Sequence, residues 1–107
     1  MLTLRFDFRL KPGSVSTMRE MYSTALDICQ WGERNNALTV MFSEHHSSPD
    51  GYLPSPIIMA AAAAARTKTL TFNVGALLLL MYDPIKLAED IAVLDHLSGC
   101  LLYTSDA

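Results

Sequence analysis

The chain has 107 residues, enough for one domain with a single core; half of them are apolar, 18% are charged and the formal net charge is −3. This mild acidity, with eight scattered Lys and Arg and no aromatic-basic stripe, argues against nucleic acid or an anionic membrane as partner. The longest apolar stretches, Ile57–Ala65 and Val74–Met81, are shorter than the ~20 residues of a bilayer crossing, and Arg5, Asp7 and Arg9 interrupt any signal-peptide core, so a cytoplasmic protein is expected.

Leu2, Leu4, Phe6, Phe8 and Leu10 alternate with Thr3, Arg5, Asp7 and Arg9, a period of two that predicts a strand with unlike faces. Pro12-Gly13-Ser14 supplies the turn that ends it. Thr17-Met18-Arg19-Glu20 has capping-box spacing, and Met18, Met21, Tyr22, Ala25, Ile28 and Cys29 then recur on one helical face. A helix over 18–34 is expected, with Asn35-Asn36 as its exit. Leu38 to Phe42 reads as a second strand running into Ser43-Glu44-His45-His46, followed by a polar loop from Ser47 to Ser55. Ser55 as cap and Pro56 in the first turn then start an alanine-rich helix over Ile57 to Arg66. Leu70 to about Leu80 is the third strand, apolar on both faces as in a parallel sheet covered on two sides. Asp83-Pro84 caps the last helix, with a buried face expected at Ala88, Ile91, Ala92 and Leu94 and an end at Ser98-Gly99.

The order βαβαβα, with crossovers of similar length, predicts an α/β fold with parallel strands. The first turn carries no GxGxxG, so the usual signature of a dinucleotide fold is missing. By pattern alone, a barrel and an open sheet both remain.

In either architecture functional groups gather at the carboxyl ends of the strands, which is where Ser43-Glu44-His45-His46 falls. On an extended strand Glu44 and His46 face one way, Ser43 and His45 the other. An imidazole there can move protons near neutral pH, and a carboxylate beside it would orient it. The same residues also read as solvated loop groups. A metal set drawn from Glu44, His45, His46 and Asp50 is disfavoured, because adjacent histidines are not the helical i,i+4 pair; no metal is expected. His96 and Asp95 read as helix-end charges, Trp31 and Tyr22 as packing, and Arg66 as a partner for the carbonyls ending its own helix. Cys29 and Cys100, far apart and without CxxC spacing, read as reduced thiols.

Three strings, in order, add up to more. Ser43-Glu44-His45-His46, then Ser55-Pro56 with the alanine helix into Ala65-Arg66-Thr67, then Asp83-Pro84-Ile85-Lys86-Leu87-Ala88-Glu89-Asp90 through Leu94-Asp95-His96-Leu97-Ser98-Gly99, resemble the bacterial-luciferase-like monooxygenase family. The resemblance covers nearly all of Leu4 to Gly99. It implies the first three βα units of a (β/α)8 TIM-type barrel, truncated, from an enzyme that oxidises a small organic substrate with O2 and reduced FMN. It also implies that His45 is the active-site histidine, a candidate acid/base beside the flavin, with Glu44 as its oriented neighbour. Ala76, Leu77 and Leu78 match the segment that passes the flavin ring, where several relatives have a non-proline cis peptide. Some family branches use a deazaflavin coenzyme for hydride transfer instead, and relatives commonly form homodimers through the second and third helices. Asn36-Ala37 stands where relatives often have Gly-Phe. Outside this resemblance, a small non-catalytic α/β binding module is the rival reading.

After Gly99 the family pattern continues with Gly-Arg and a fourth strand, whereas this chain has Cys100 to Ala107. One coding string for those eight residues resembles a transposase adapter used in preparing sequencing libraries. Residues 1–99 are therefore expected to be the N-terminal part of a barrel domain and residues 100–107 a non-native read-through tail. A chain cut there is expected to lack activity.

Overall fold

The computed structural model describes residues 2–75, 77–99 and 102–104, the last three by their backbone. The elements are β1 (Leu2–Phe6), α1 (Met18–Arg34), β2 (Ala37–Ser43), α2 (Pro56–Arg66), β3 (Thr71–Gly75), a 3-10 turn (Leu79–Met81), α3 (Pro84–Leu97) and β4 (Leu102–Thr104). All pairing is parallel, in the sequential order β1-β2-β3-β4. Each strand lands beside its predecessor, so the described sheet has no point where its order reverses. Ligand sites of doubly wound sheets lie at such a reversal.

The register decides which side chains meet the helices. Leu4, Val40 and Phe72 are aligned, as are Phe6, Phe42 and Val74. Val40, Phe42 and Phe72 form one buried cluster with Ala25 and Cys29 of α1 and Met59, Ala60 and Ala63 of α2. The alanine run matters here: Ala60 and Ala63 have no exposed surface, so α2 lies close against the sheet. Burying each large apolar side chain of this cluster contributes ~1.5–3 kcal/mol. The opposite face carries the aligned Arg5, Met41 and Asn73. Within this core Cys29 is a free thiol; burial pushes its pKa up to about 11 against the opposing charge of Arg66. Cys100 lies outside the described residues. Among the described residues no helix is long and apolar enough to cross a membrane.

Several local expectations hold to the atom. The capping box forms, with the Glu20 N–H donating to Thr17 Oγ1 at 3.1 Å and the Thr17 N–H donating to Glu20 Oε1 at 3.1 Å. Asp83 accepts from the Ile85 N–H at 3.3 Å to start α3. Asn36 has a φ of 68°, the left-handed region, which explains the departure from the usual Gly: asparagine is the side chain that best tolerates a position where glycine is otherwise favoured.

Other expectations need correction. β1 stops at Phe6, because Phe8 takes a φ of 61°; its ring turns into the core and lies 5.1 Å from Tyr22 and 6.0 Å from Phe42. The third strand does not reach Leu80. Its ladder with β2 ends at the pair Ser43 and Gly75, and the Leu78 N–H goes to a side chain instead. Ser55 makes no side-chain cap, although its carbonyl accepts from Met59 and Pro56 occupies the first turn. On α3 the buried positions are Leu87 and Leu94, with Ile91 between them, while Ala88 and Ala92 are exposed. The bulkier residues, one step out of phase with the alanines, capture the interface. Trp31 is 50% exposed rather than packed. Arg66 does not turn to its own helix end; its guanidinium reaches α1, 2.6 Å from Asp27 Oδ1 and 2.7 Å from Gln30 Oε1.

Candidate functional site

Where β2 runs out, Glu44 turns its side chain fully out of solvent, with no exposed side-chain surface. An unpaired carboxylate would be strongly unfavourable there. Two polar groups meet it: Oε2 lies 2.5 Å from His46 Nε2 and Oε1 accepts the Leu78 N–H at 3.0 Å, with the Tyr82 side chain close to the same carboxylate. Burial drives the Tyr82 pKa well above the usual tyrosine range, and the negative charge of nearby Glu44 pushes the same way. Glu44 thereby ties the exit of β2 to the segment after β3. The Leu78 N–H, which could have extended β3, is spent on it.

His45 faces the other way, as alternation requires. Its backbone N–H donates to the Leu53 carbonyl at 2.9 Å, and its exposed ring lies 5.2 Å from the Tyr52 ring at a 52° tilt. Arg9 sits 5.4 Å from the Tyr52 centroid and pairs with Asp7 at 3.3 Å. The imidazole that meets the Glu44 carboxylate is that of His46, not His45. The loop between β2 and α2 is less open than its polarity suggested. Leu53 is buried, and the Leu53 and Leu10 N–H groups close a backbone link to Asp7 and Asp50 that seats the loop on the exit of β1. Asp50 is occupied locally by the Ser48 hydroxyl and the Tyr52 N–H. Ser48 foremost, then Tyr52 and the nearby Arg9 charge, hold its carboxyl below the usual range against a smaller opposing effect of burial. Among the described residues no three His, Cys, Asp or Glu converge as a metal-holding group.

Of the segment expected at the flavin ring, Ala76 lies outside the described residues. Leu77 is buried with Val74 and Leu87, while the Leu78 side chain is 37% exposed and leads into exposed Leu79, Leu80 and Met81. No cis peptide occurs among the described residues. Two residues before Gly75, the buried Oδ1 of Asn73 has no hydrogen-bond partner among the described residues. A separate open groove of about 1010 Å³ lies between β1 and α1, lined by Arg5, Asp7, Arg9, Glu20, Ile28 and Tyr52. It follows the unpaired edge of β1 and touches the histidine region only through Tyr52.

Sequence reasoning missed Tyr82 and Tyr52. A signal existed for the first: Tyr82 immediately precedes the Asp83-Pro84 helix start, so it had to lie in the loop at the carboxyl end of β3. Nothing in the sequence places Tyr52 beside His45, because that contact depends on the Leu53 backbone bonds.

The family profile described as Luciferase-like monooxygenase matches residues 5–99, and the chain belongs to that family. It is 28% identical over 83 residues to the oxygenase component of a flavin-dependent trigonelline monooxygenase from Acinetobacter baylyi, a match over 78% of this chain and 23% of that protein. Among solved structures, the oxygenating constituent of 3,6-diketocamphane monooxygenase from Pseudomonas putida, in complex with FMN, superposes with a TM-score of 0.84 at 26% identity, over 98% of this chain and 29% of that one. The monooxygenase RslO1 from Streptomyces bottropensis gives a TM-score of 0.85 at 29% identity, over 97% of this chain and 32% of that one. The chain thus spans about a quarter to a third of the length of these relatives.

Proposed function

We propose that this chain is the opening three βα units of a (β/α)8 barrel whose complete form is an FMN-dependent monooxygenase acting on a small organic substrate. One observation carries the reading: a buried, fully partnered Glu44 beside two histidines at the carboxyl end of a sequentially ordered parallel sheet, in a chain of this family. Barrels place their chemistry at that end. The FMN-bound neighbour supports the cofactor.

The residues present fit a flavin. The exposed apolar surface from Leu78 to Met81 suits a flat aromatic ring, and the orphaned Asn73 Oδ1 is an acceptor in want of a donor. Leu77 and Leu78 would border the ring. When bound, reduced FMN supplies the two electrons that, with O2, put one oxygen atom into the substrate and release the other as water. The protein's share is orientation, proton transfer and exclusion of water. In this reading the exposed His45 ring exchanges a proton at the reacting centre, Glu44 holds the local geometry, and the leucine run sheds water.

Oxygen uptake with reduced FMN tests it. The 107-residue chain is expected to bind FMN weakly and to leave uptake at the rate of free flavin. The same segment within a complete barrel should turn over, and His45→Ala there should lower kcat/KM by about 10²–10⁴-fold, the range of a lost acid or base. A complete barrel that gives no uptake above free flavin would sink the assignment.

A further inference from the structure

We infer that Glu44 is a positioning residue for His46, holding its imidazole as the Nε2–H tautomer and leaving Nδ1 as an open lone pair. The inference rests on the reading of this strand exit as the active site. Its chemistry follows from donor and acceptor bookkeeping. An ionised carboxylate only accepts, so the ring nitrogen 2.5 Å from Glu44 Oε2 carries the hydrogen. In a neutral imidazole the other nitrogen is then the base.

The carboxylate is not free to follow the ring. Its Oε1 is held by the Leu78 N–H at 3.0 Å. Glu44 has no exposed side-chain surface, while His46 retains 31% of its own, so the imidazole is anchored on one side and reachable on the other. Among the described residues no group bonds Nδ1. His45 differs in each respect. Its ring lies against the Tyr52 ring, and among the described residues no carboxylate meets it to select a tautomer.

Long-range ¹H–¹⁵N spectra of the histidine rings of the 107-residue chain test this without flavin or turnover. His46 is expected to show one tautomer, with Nδ1 in the unprotonated range, and His45 an averaged pair. Glu44→Ala removes the acceptor, so His46 should then show an averaged pair as well. Were that variant to unfold, the tautomer of the unmutated chain would still decide. An Nδ1–H tautomer at His46, or a single His46 tautomer that persists without the carboxylate, overturns the inference. Failure of oxygen uptake in a complete barrel would remove the monooxygenase reading and leave this result intact.

Discussion

The two ends of this sheet use the same device for opposite purposes. At the end where strands begin, Glu33 of α1 reaches the turn before β3. Its Oε2 accepts the N–H groups of Lys68, Thr69 and Leu70, at 2.8, 2.6 and 3.1 Å, together with the Thr69 hydroxyl. At the end where strands finish, Glu44 reaches the segment after β3 and meets one backbone N–H and one imidazole. Each carboxylate links consecutive βα units. Glu33 is engaged mainly by backbone groups that have no chemistry of their own, whereas Glu44 engages an imidazole. The contrast follows the general division of barrels, in which one end secures the fold and the other carries the reaction.

The largest effect is expected where both ends share a foundation. Phe42 is fully buried between them, aligned with Phe6 and Val74, and Phe42→Ala should cost ~3–5 kcal/mol, a loss read as a shifted midpoint in urea. If Phe42→Ala released only the Glu44 end, the two ends would not rest on one core.

Next comes Glu33. Partial burial raises its pKa, but the three backbone N–H groups and the Thr69 hydroxyl together outweigh it, so its carboxyl lies below the usual range. A lowered folded pKa means that ionised Glu33 stabilises the fold at pH above the unfolded value of about 4.3, and that this contribution disappears as pH falls through the folded value. Glu33→Gln should therefore lose about 1–3 kcal/mol at neutral pH and show a shallower loss of stability on acidification. Denaturant titrations at pH 7 and at successively lower pH check both. The His46 tautomer should not change, and if it did the two ends would be coupled through more than packing.

This division was only half legible in the sequence. Periodicity marked every helix and the cores of β2 and β3, because alternation and helical spacing are set by the same burial that forms them. It overran where a side chain took over a backbone bond: Leu78 continues the apolar run of β3, yet its N–H belongs to Glu44. It slipped one step on α3, where alanines and leucines compete for the interface and volume decides. At the site, the strand exit and its residue types were readable, and alternation alone paired Glu44 with His46. The family resemblance pointed instead to His45. Tyr82, 38 residues further on, reaches Glu44 only through a turn geometry that no local pattern encodes.

A smaller effect is expected from Arg66→Ala. The guanidinium joins α2 to Asp27 and Gln30 of α1, but side-chain exposures of 34% for Arg66 and 68% for Asp27 leave the pair well solvated. Its loss should cost at most about 1 kcal/mol, shrinking further in high salt. A cost above that of Glu33→Gln would mean that the amino end is held by its surface pair rather than by the backbone-binding carboxylate.

The smallest change in stability should come from His45→Ala, for the reason that makes the residue interesting. Its anchoring bond to the Leu53 carbonyl is a backbone bond that the substitution keeps, and its exposed ring lies against the Tyr52 ring. Removing that ring should shift the unfolding free energy by about 0.5 kcal/mol or less, as at other exposed sites. His46→Ala should cost more, since it strips a donor from a buried carboxylate that cannot reach water. Urea titrations of the two variants side by side give the order directly. Equal costs would place Glu44 between the two histidines; a larger cost at His46 keeps His45 as the ring held ready for something outside the chain.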